Sequence, residues 1–285
     1  MSFMYNPFPF DDPKPVNRPE LSKKTIDAVV SGGTPAVAKK FAASVIESAR
    51  ESNRILAFDG YTTVDWKLFL NLVARECRIA GVEFVSIDQN KECFKSGEEI
   101  DNMIDPLLIW DTKIDPTLLY GKIYKGGYEG LLDEVKTKKF EENVMSLKEG
   151  KGKVVAVYGY GCLIPRFRKL YDVKCFFDIT PKTSILRIRG GEYSNIGKER
   201  PDQINRVIRR CYYCDFEIAV CNRRELLHNS AIDFFFLADD PKNIVMMPFE
   251  TFSDICAQLV KYPFRAKPCY LEGVWGGSYM KKLRH

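Results

Sequence analysis

Histidine is almost missing from this chain: there are two in 285 residues, His228 and the final His285. A His-rich catalytic zinc centre needs several imidazoles converging on one ion, so the sequence predicts no metal site of that kind. Long apolar runs are missing as well. The longest, residues 232–238, carries Asp233 inside it, and it falls far short of the ~20 residues that span a bilayer. Residues 1–10 lack a basic stretch followed by an apolar one, so no secretory signal is expected there. Charge of one sign is not in excess either. Forty-three basic side chains face 38 acidic ones, a net +5, too mixed to imply a nucleic-acid footprint. No internal repeat is visible. These absences predict a cytoplasmic protein with neither membrane nor nucleic acid as partner.

What is present is ordinary for a globular protein: 45% hydrophobic and 28% charged residues. The length suits one large α/β domain, or one domain with an appendage. The nine cysteines are an odd number scattered singly. Cys77, Cys93, Cys162, Cys175 and Cys256 read as small core residues in a reducing compartment.

Apolar patterning gives the organisation. Residues 1–33 predict an extended arm, with a short helix near 22–31. Thr34-Pro35 reads as an N-cap followed by Pro at the first helical position, opening a helix to about residue 50. Strands are expected at 54–58 (RILAF), 82–87, 153–158 (KVVAVY), 173–179, 232–237 and 244–247. Helices are expected at 64–80, 162–171, 181–188, 201–228 and 249–261. Short, nearly continuous Val/Ile/Phe strands alternating with helices imply an α/β fold, a mostly parallel sheet covered on both faces. The domain would run from 34 to 261, with a helical insertion at 90–150 and an extended tail at 262–285.

Ligands in open α/β sheets bind beyond the carboxyl ends of strands. The turn after the first strand is Asp59-Gly60-Tyr61-Thr62-Thr63-Val64-Asp65-Trp66-Lys67. A phosphate loop, Gly-x-x-x-x-Gly-Lys-Ser/Thr, cradles phosphates with backbone N–H groups, a Lys and a hydroxyl on magnesium. Here Gly60 is present and the second glycine is not. Lys67 comes one residue late and is followed by Leu68. Asp59 and Asp65 add charge of the wrong sign. At about 6 Å and an effective dielectric of about 20, each would oppose a unit of phosphate charge by roughly 3 kcal/mol. Asp65 also suits a capping box with Thr62. Two readings stand: an ordinary turn with a helix cap, or a modified phosphate site using Gly60 and Lys67.

Arg187, Arg189, Arg206, Arg209 and Arg210 concentrate positive charge near Tyr193, Tyr212 and Tyr213. They read either as a solvated helix face or as an anion clamp, since guanidinium forks match phosphate geometry. Residues 190–197, rich in glycine, suit a lid hinge. Cys211-Tyr212-Tyr213-Cys214, with Cys221 beyond it, lies in a helical pattern that puts all three thiols on one broad face. Core packing is the reading preferred to metal or redox chemistry.

The order RILAFDG, helix, VEFVSIDQN, an insertion holding Asp111-Thr112-Lys113-Ile114-Asp115-Pro116, KVVAVYGYG and VKCFFDITPKTSILRIRG resembles the uridine kinase and phosphoribulokinase group of P-loop kinases. The resemblance covers roughly residues 54–240 and is one of pattern, because the phosphate loop departs from the group's motif. It implies a P-loop kinase-like fold with a degenerate Walker A turn. It implies Asp88 near an acceptor hydroxyl, as the catalytic base of any phosphoryl transfer. It implies Arg187, Arg189, Arg200, Arg206, Arg209 and Arg210 as lid groups clamping phosphates, with a nucleotide and magnesium as the candidate cofactor. The tail PFRAKPCYLEGVWGGSYMKKLR is similar to the junction in class I mannose-6-phosphate isomerases that carry an extra kinase-like N-terminal region. That second resemblance implies an accessory domain in carbohydrate metabolism, with an isomerase domain in cis, and no isomerase chemistry in this chain. The expectation preferred is a non-catalytic domain that binds a small phosphorylated molecule or braces the isomerase. The alternatives are an active kinase of a small sugar or nucleoside, and a structural domain that forms a homodimer.

Overall fold

The apolar runs RILAF, KVVAVY and VKCFF become the middle of one sheet in a computed structural model that describes residues 20–116 and 120–260. The described residues group into two units, 27–249 and 20–26 with 250–260. Helix α1 (Lys23–Ala28) straddles the first boundary. Then follow α2 (Thr34–Glu51), β1 (Arg54–Gly60), α3 (Lys67–Ile79), β2 (Glu83–Asp88), α4 (Gln89–Cys93), α5 (Gly97–Ile104), α6 (Glu134–Leu147) and β3 (Lys153–Tyr158). After them come β4 (Val173–Asp178), α7 (Pro181–Arg189), α8 (Ile204–Arg210), α9 (Phe216–His228), β5 (Phe234–Leu237), β6 (Val245–Pro248) and α10 (Phe249–Leu259). In the smaller unit Thr25 Oγ1 donates to Asp254 Oδ2 at 2.5 Å.

The sheet has six strands in the order β2-β3-β1-β4-β5-β6. The first five are parallel, and β6 runs antiparallel to β5. The expected α/β fold with a mostly parallel sheet is therefore the observed one. β1 lies in the middle, with Leu56 opposite Ala156 on one side and Val173 on the other. It is buried along nearly its whole length, which is why its sequence is a continuous apolar run. On one face, Phe41 of α2 meets Phe58 edge-on at 5.7 Å, and Phe177 stacks on Phe236 at 4.2 Å. Each fully buried Phe of this cluster contributes roughly 1.5–3 kcal/mol over exposure.

Several elements differ from expectation. Residues 162–171 form no α-helix, only turns and a 3₁₀ segment at Arg168–Leu170. Pro165 interrupts the run, and the Leu163 amide is held by Asp59 instead of a helical carbonyl. The cap of α2 is Gly33, one residue earlier than expected, and Thr34 Oγ1 donates to the Pro241 carbonyl at 2.6 Å. The long helix expected at 201–228 is three pieces, α8, a π-turn at Cys211–Asp215, and α9. The wider π-turn rotates α9 relative to α8. Cys211 and Cys214 are therefore buried while Cys221 is exposed, and the three thiols do not share a face. The tail at 262–285, with its isomerase-like junction, and residues 1–19 of the arm lie outside the described residues.

Candidate functional site

A cleft of about 770 Å³ opens at the carboxyl ends of β2 and β3, against the start of α3. That volume suits a small metabolite. Its floor comes from strand periodicity. Asp88 pairs with Tyr158 across β2 and β3, and residues two apart share a face, so Ser86, Asp88 and Tyr158 project together, and Tyr160 joins them from the turn after β3. α3 adds Asp65, Trp66, Lys67, Leu70 and Asn71 from one side. Arg187, Glu192 and Tyr193 come from the α7 side, and Lys91 from α4. Trp66 packs on Tyr160 at 5.2 Å and on Tyr158 at 6.1 Å, giving the cleft an aromatic corner.

Asp88 reaches this cleft and also caps α4. Its Oδ1 accepts the amides of Asn90 at 3.1 Å and Lys91 at 3.4 Å. Lys91 Nζ stands 3.8 Å from its other oxygen.

Five of the eight backbone amides from Gly60 to Lys67 are held within the protein. The Gly60 amide donates to Asp59 Oδ1 at 2.7 Å and the Tyr61 amide to the Phe177 carbonyl at 3.0 Å. Thr63 N–H donates to Tyr160 Oη at 3.0 Å, Val64 N–H to the Tyr61 carbonyl at 3.2 Å, and Lys67 N–H to Asp65 Oδ1 at 2.9 Å. The space in front of Gly60 is filled: a Cβ there would lie 2.6 Å from Val64 Cγ1 and 3.1 Å from Trp66 Cζ2. A side chain at Gly60 would run into Val64 first, then the Phe177 carbonyl and the Trp66 ring. The capping box expected from Thr62 and Asp65 does not form. Thr62 Oγ1 donates to the Asp215 carbonyl at 3.3 Å, and Trp66, at the N-cap of α3, makes no side-chain cap bond. A capping box forms instead at α5, between Ser96 and Glu99.

Thr63 has φ 75°, a left-handed conformation that a β-branched residue rarely adopts. Such a residue costs on the order of 1–3 kcal/mol unless its surroundings hold it. Besides Tyr160, the holders are Arg187, whose Nη1 donates to the Thr63 carbonyl at 2.8 Å, and Ser184, whose Oγ donates to the Thr62 carbonyl at 3.0 Å. The Thr63 hydroxyl and the Trp66 indole N–H are both buried without a hydrogen-bond partner.

Asp59 does not face the cleft. It is fully buried, and its oxygens accept from Gly60, Gly161 at 3.0 Å, Leu163 at 2.9 Å and Asn222 Nδ2 at 3.1 Å. Burial pushes its carboxyl up to about 6, against the opposing pull of those bonds. The charge expected to repel phosphate is thus a strand-end tie instead. Asp65 and Lys67 are exposed and line the cleft rim.

The arginines divide. Arg187 lines the cleft, and its Nη2 also donates to the Asp239 carbonyl at 2.8 Å. Arg189 and Arg200 are exposed and outside the cleft lining, and Arg206 lies over the Trp110 ring at 4.5 Å. Arg209 and Arg210 are buried. Arg209 pairs with Asp115 at 3.0 Å, and Arg210 pairs with Asp101, which also takes Lys198. Those two fix the insertion to α8 and present no fork to the cleft. The segment expected to be a lid hinge is anchored through Asp215, which accepts Tyr193 Oη at 2.9 Å and Asn195 Nδ2 at 2.8 Å. Burial raises the carboxyl of Asp215, and it raises the thiols of Cys211 and Cys214 as well. The same direction disfavours the thiolates that metal or redox chemistry needs. Among the described residues no group of three His, Cys, Asp or Glu side chains could hold a metal ion.

Tyr158, Ser86, Asn71 and Lys91 were not singled out from sequence. The period-2 spacing of Ser86 with Asp88 on β2 was the available signal.

Fold and cleft together define a mostly parallel α/β domain with a metabolite-sized cleft at its strand ends. The chain belongs to the family described as "Domain of unknown function (DUF8485)", whose model matches residues 33–261. Among solved structures it is similar to a putative fructose transport system kinase from Silicibacter sp. TM1040, at 12% identity and a TM-score of 0.44, over 66% of this chain and 94% of that one. It is also similar to a possible uridine kinase from Bacillus stearothermophilus, at 10% identity and TM-score 0.41, over 70% and 97%. A third is phosphoribulokinase from Rhodobacter spheroides, at 11% identity and TM-score 0.39, over 73% and 96%. At these scores the likenesses carry no argument about activity. No curated protein matches.

Proposed function

We propose that this is a kinase-like accessory domain that binds a small phosphorylated ligand in the cleft, while its degenerate Walker A turn no longer seats a nucleoside triphosphate. The observation that carries the reading is that most amides of the turn are already engaged. A phosphate cradle works through free backbone N–H groups, and here the amides of Gly60, Tyr61, Thr63, Val64 and Lys67 all have acceptors within the protein. The indole of Trp66 stands against Gly60. The residue after Lys67 is Leu68, which offers no hydroxyl to magnesium. The donor set therefore does not fit a triphosphate with magnesium. The neighbouring cleft is open and supplies Lys67, Lys91 and Arg187 to an oxyanion. Asp88 and the aromatic corner of Trp66, Tyr158 and Tyr160 are there for a hydroxylated ring. Asp88, already a cap, orients a ligand hydroxyl in this reading and is not an active base.

A thermal-shift titration tests it. A ligand at about a hundred times its dissociation constant adds about 2.7 kcal/mol of stability. Mannose 6-phosphate is expected to raise the transition and magnesium-ATP to leave it unchanged. Transfer of labelled phosphate from ATP to a sugar or nucleoside would overturn the reading in favour of an active kinase with Asp88 as base. If neither ligand acts, a purely structural, dimer-forming role takes its place. The link to a mannose-6-phosphate isomerase rests on resemblance in sequence, chiefly that of the 262–285 segment, with DGYTTVDW and RRCYYCDFEIA beside it. Expressing the gene with any sequence that follows residue 285 and assaying isomerisation decides it.

A further inference from the structure

Two atoms in one short turn have no hydrogen-bond partner although they are buried, Thr63 Oγ1 and Trp66 Nε1. The same turn holds the left-handed Thr63. Unmet polar groups and backbone strain together mark a segment that its surroundings hold in place. Two of the groups that hold it, Tyr160 through its hydroxyl oxygen and Arg187 through its guanidinium, also line the cleft. A ligand oxyanion in the cleft meets the Tyr160 O–H and the Arg187 fork as donors, and drawing these two side chains toward itself lengthens their contacts to the Thr63 amide and carbonyl. Weakening both contacts leaves Ser184 alone to hold the turn, and the indole packed on Tyr160 at 5.2 Å then loses its place against Gly60.

We propose that the turn at 61–66 is a strained sensor of cleft occupancy: an oxyanion bound between Arg187 and Tyr160 releases Thr63 and withdraws Trp66 from Gly60. This rests on the reading that the cleft binds a ligand. It goes further in assigning the turn two states and in naming the two side chains that couple them. A ligand shifts such an equilibrium only by its difference in affinity for the two states, and here that difference lies in whether Tyr160 and Arg187 are free to meet the anion.

The test uses the full chain with Trp110→Phe and Trp275→Phe, which leaves Trp66 as the sole indole reporter. Inorganic phosphate is titrated against sodium chloride of matched ionic strength, with melting temperature and indole emission both recorded. Expected are a higher melting temperature and a Trp66 emission moved to longer wavelength as the ring leaves its dry site. Tyr160→Phe, added to the same background, removes the acceptor of the Thr63 amide. Without any ligand it is expected to show the longer-wavelength emission already, and phosphate should move it no further. Emission unchanged in ligand-free Tyr160→Phe overturns the sensor whatever any ligand does. A melting shift with phosphate and no emission change also overturns it, while leaving the cleft as a binding site. Binding of mannose 6-phosphate where phosphate has no effect on either readout overturns the oxyanion trigger and again spares the cleft.

Discussion

The hydroxyl oxygen of Tyr160 accepts the amide of Thr63 at 3.0 Å, joining the carboxyl end of β3 to a left-handed threonine in the turn after β1. This one bond connects the cleft wall to the place where a phosphate cradle would stand. It explains why a turn with a single glycine can still make so sharp a return.

Thr63→Gly should stabilise the protein. Glycine enters the left-handed region freely, and the gain from relieved strain outweighs its entropic cost, leaving about 1 kcal/mol. Urea unfolding measures it. A lower midpoint with an unchanged slope would show that the threonine is not strained.

Asp59→Asn should destabilise by about 3 kcal/mol, because the new NH2 turns donors toward the donors on one side of the carboxylate, either Gly60 and Gly161 or Leu163 and Asn222. The pH dependence has a defined sign. Burial places the Asp59 carboxyl at about 6 in the folded protein, against an ordinary 3.8. Between those values the folded state holds a proton that the unfolded state has lost. The contribution of Asp59 is therefore fully present below about pH 4 and is lost as pH rises through about 6. It amounts to something on the order of 3 kcal/mol. The stability gap between wild type and Asp59→Asn should widen from about pH 7 to about pH 4.5. A gap that narrows on acidification contradicts the assignment.

Arg209→Ala should cost about 3–5 kcal/mol, since it removes the buried guanidinium that pairs with the buried Asp115 carboxylate at 3.0 Å. Chemical denaturation of Arg209→Ala, Asp115→Ala and the double variant forms a cycle. The double variant should lose clearly less than the sum of the singles. Simple additivity would mean that the pair is not coupled.

Asp88 separates two roles by chemistry. Asparagine caps helices about as well as aspartate, so Asp88→Asn should keep the wild-type melting temperature. Asp88→Ala should lose about 1 kcal/mol. If Asp88 orients a ligand hydroxyl, both variants weaken the mannose 6-phosphate shift. An unaltered ligand shift in Asp88→Asn removes the carboxylate from the site.

Much of the fold was legible because its causes are local. The runs RILAF and KVVAVY are apolar at every position because both faces of those strands are covered, and a continuous run shows this without any partner being known. Helix α7 was legible for the same reason: Thr180 caps it and Pro181 follows at the first turn. The segment at 162–171 was legible only in part. Pro165 is a local mark against a helix there, but Asp59, which takes the Leu163 amide from 104 positions away, is not. Likewise the pattern of residues 201–228 is helical throughout, and the extra residue of the π-turn at Cys211–Asp215 leaves no mark on apolar spacing.

The sequence by itself determined the strands, the mostly parallel sheet, and a turn after β1 too poor in glycine for a phosphate cradle. Those follow from side-chain size, periodicity and backbone freedom, which are properties of neighbours in the chain. Only the tertiary structure decided which charges meet a ligand. Asp59 and Asp88 both stand at the ends of strands, and nothing nearby in sequence tells them apart. β1 lies inside the sheet and β2 at its edge, so one carboxylate is enclosed by donors such as Asn222, 163 positions away, and the other opens on the cleft. Arg187 and Arg209 divide in the same way, because a guanidinium's role depends on whether the fold brings it a carboxylate or leaves it beside open space.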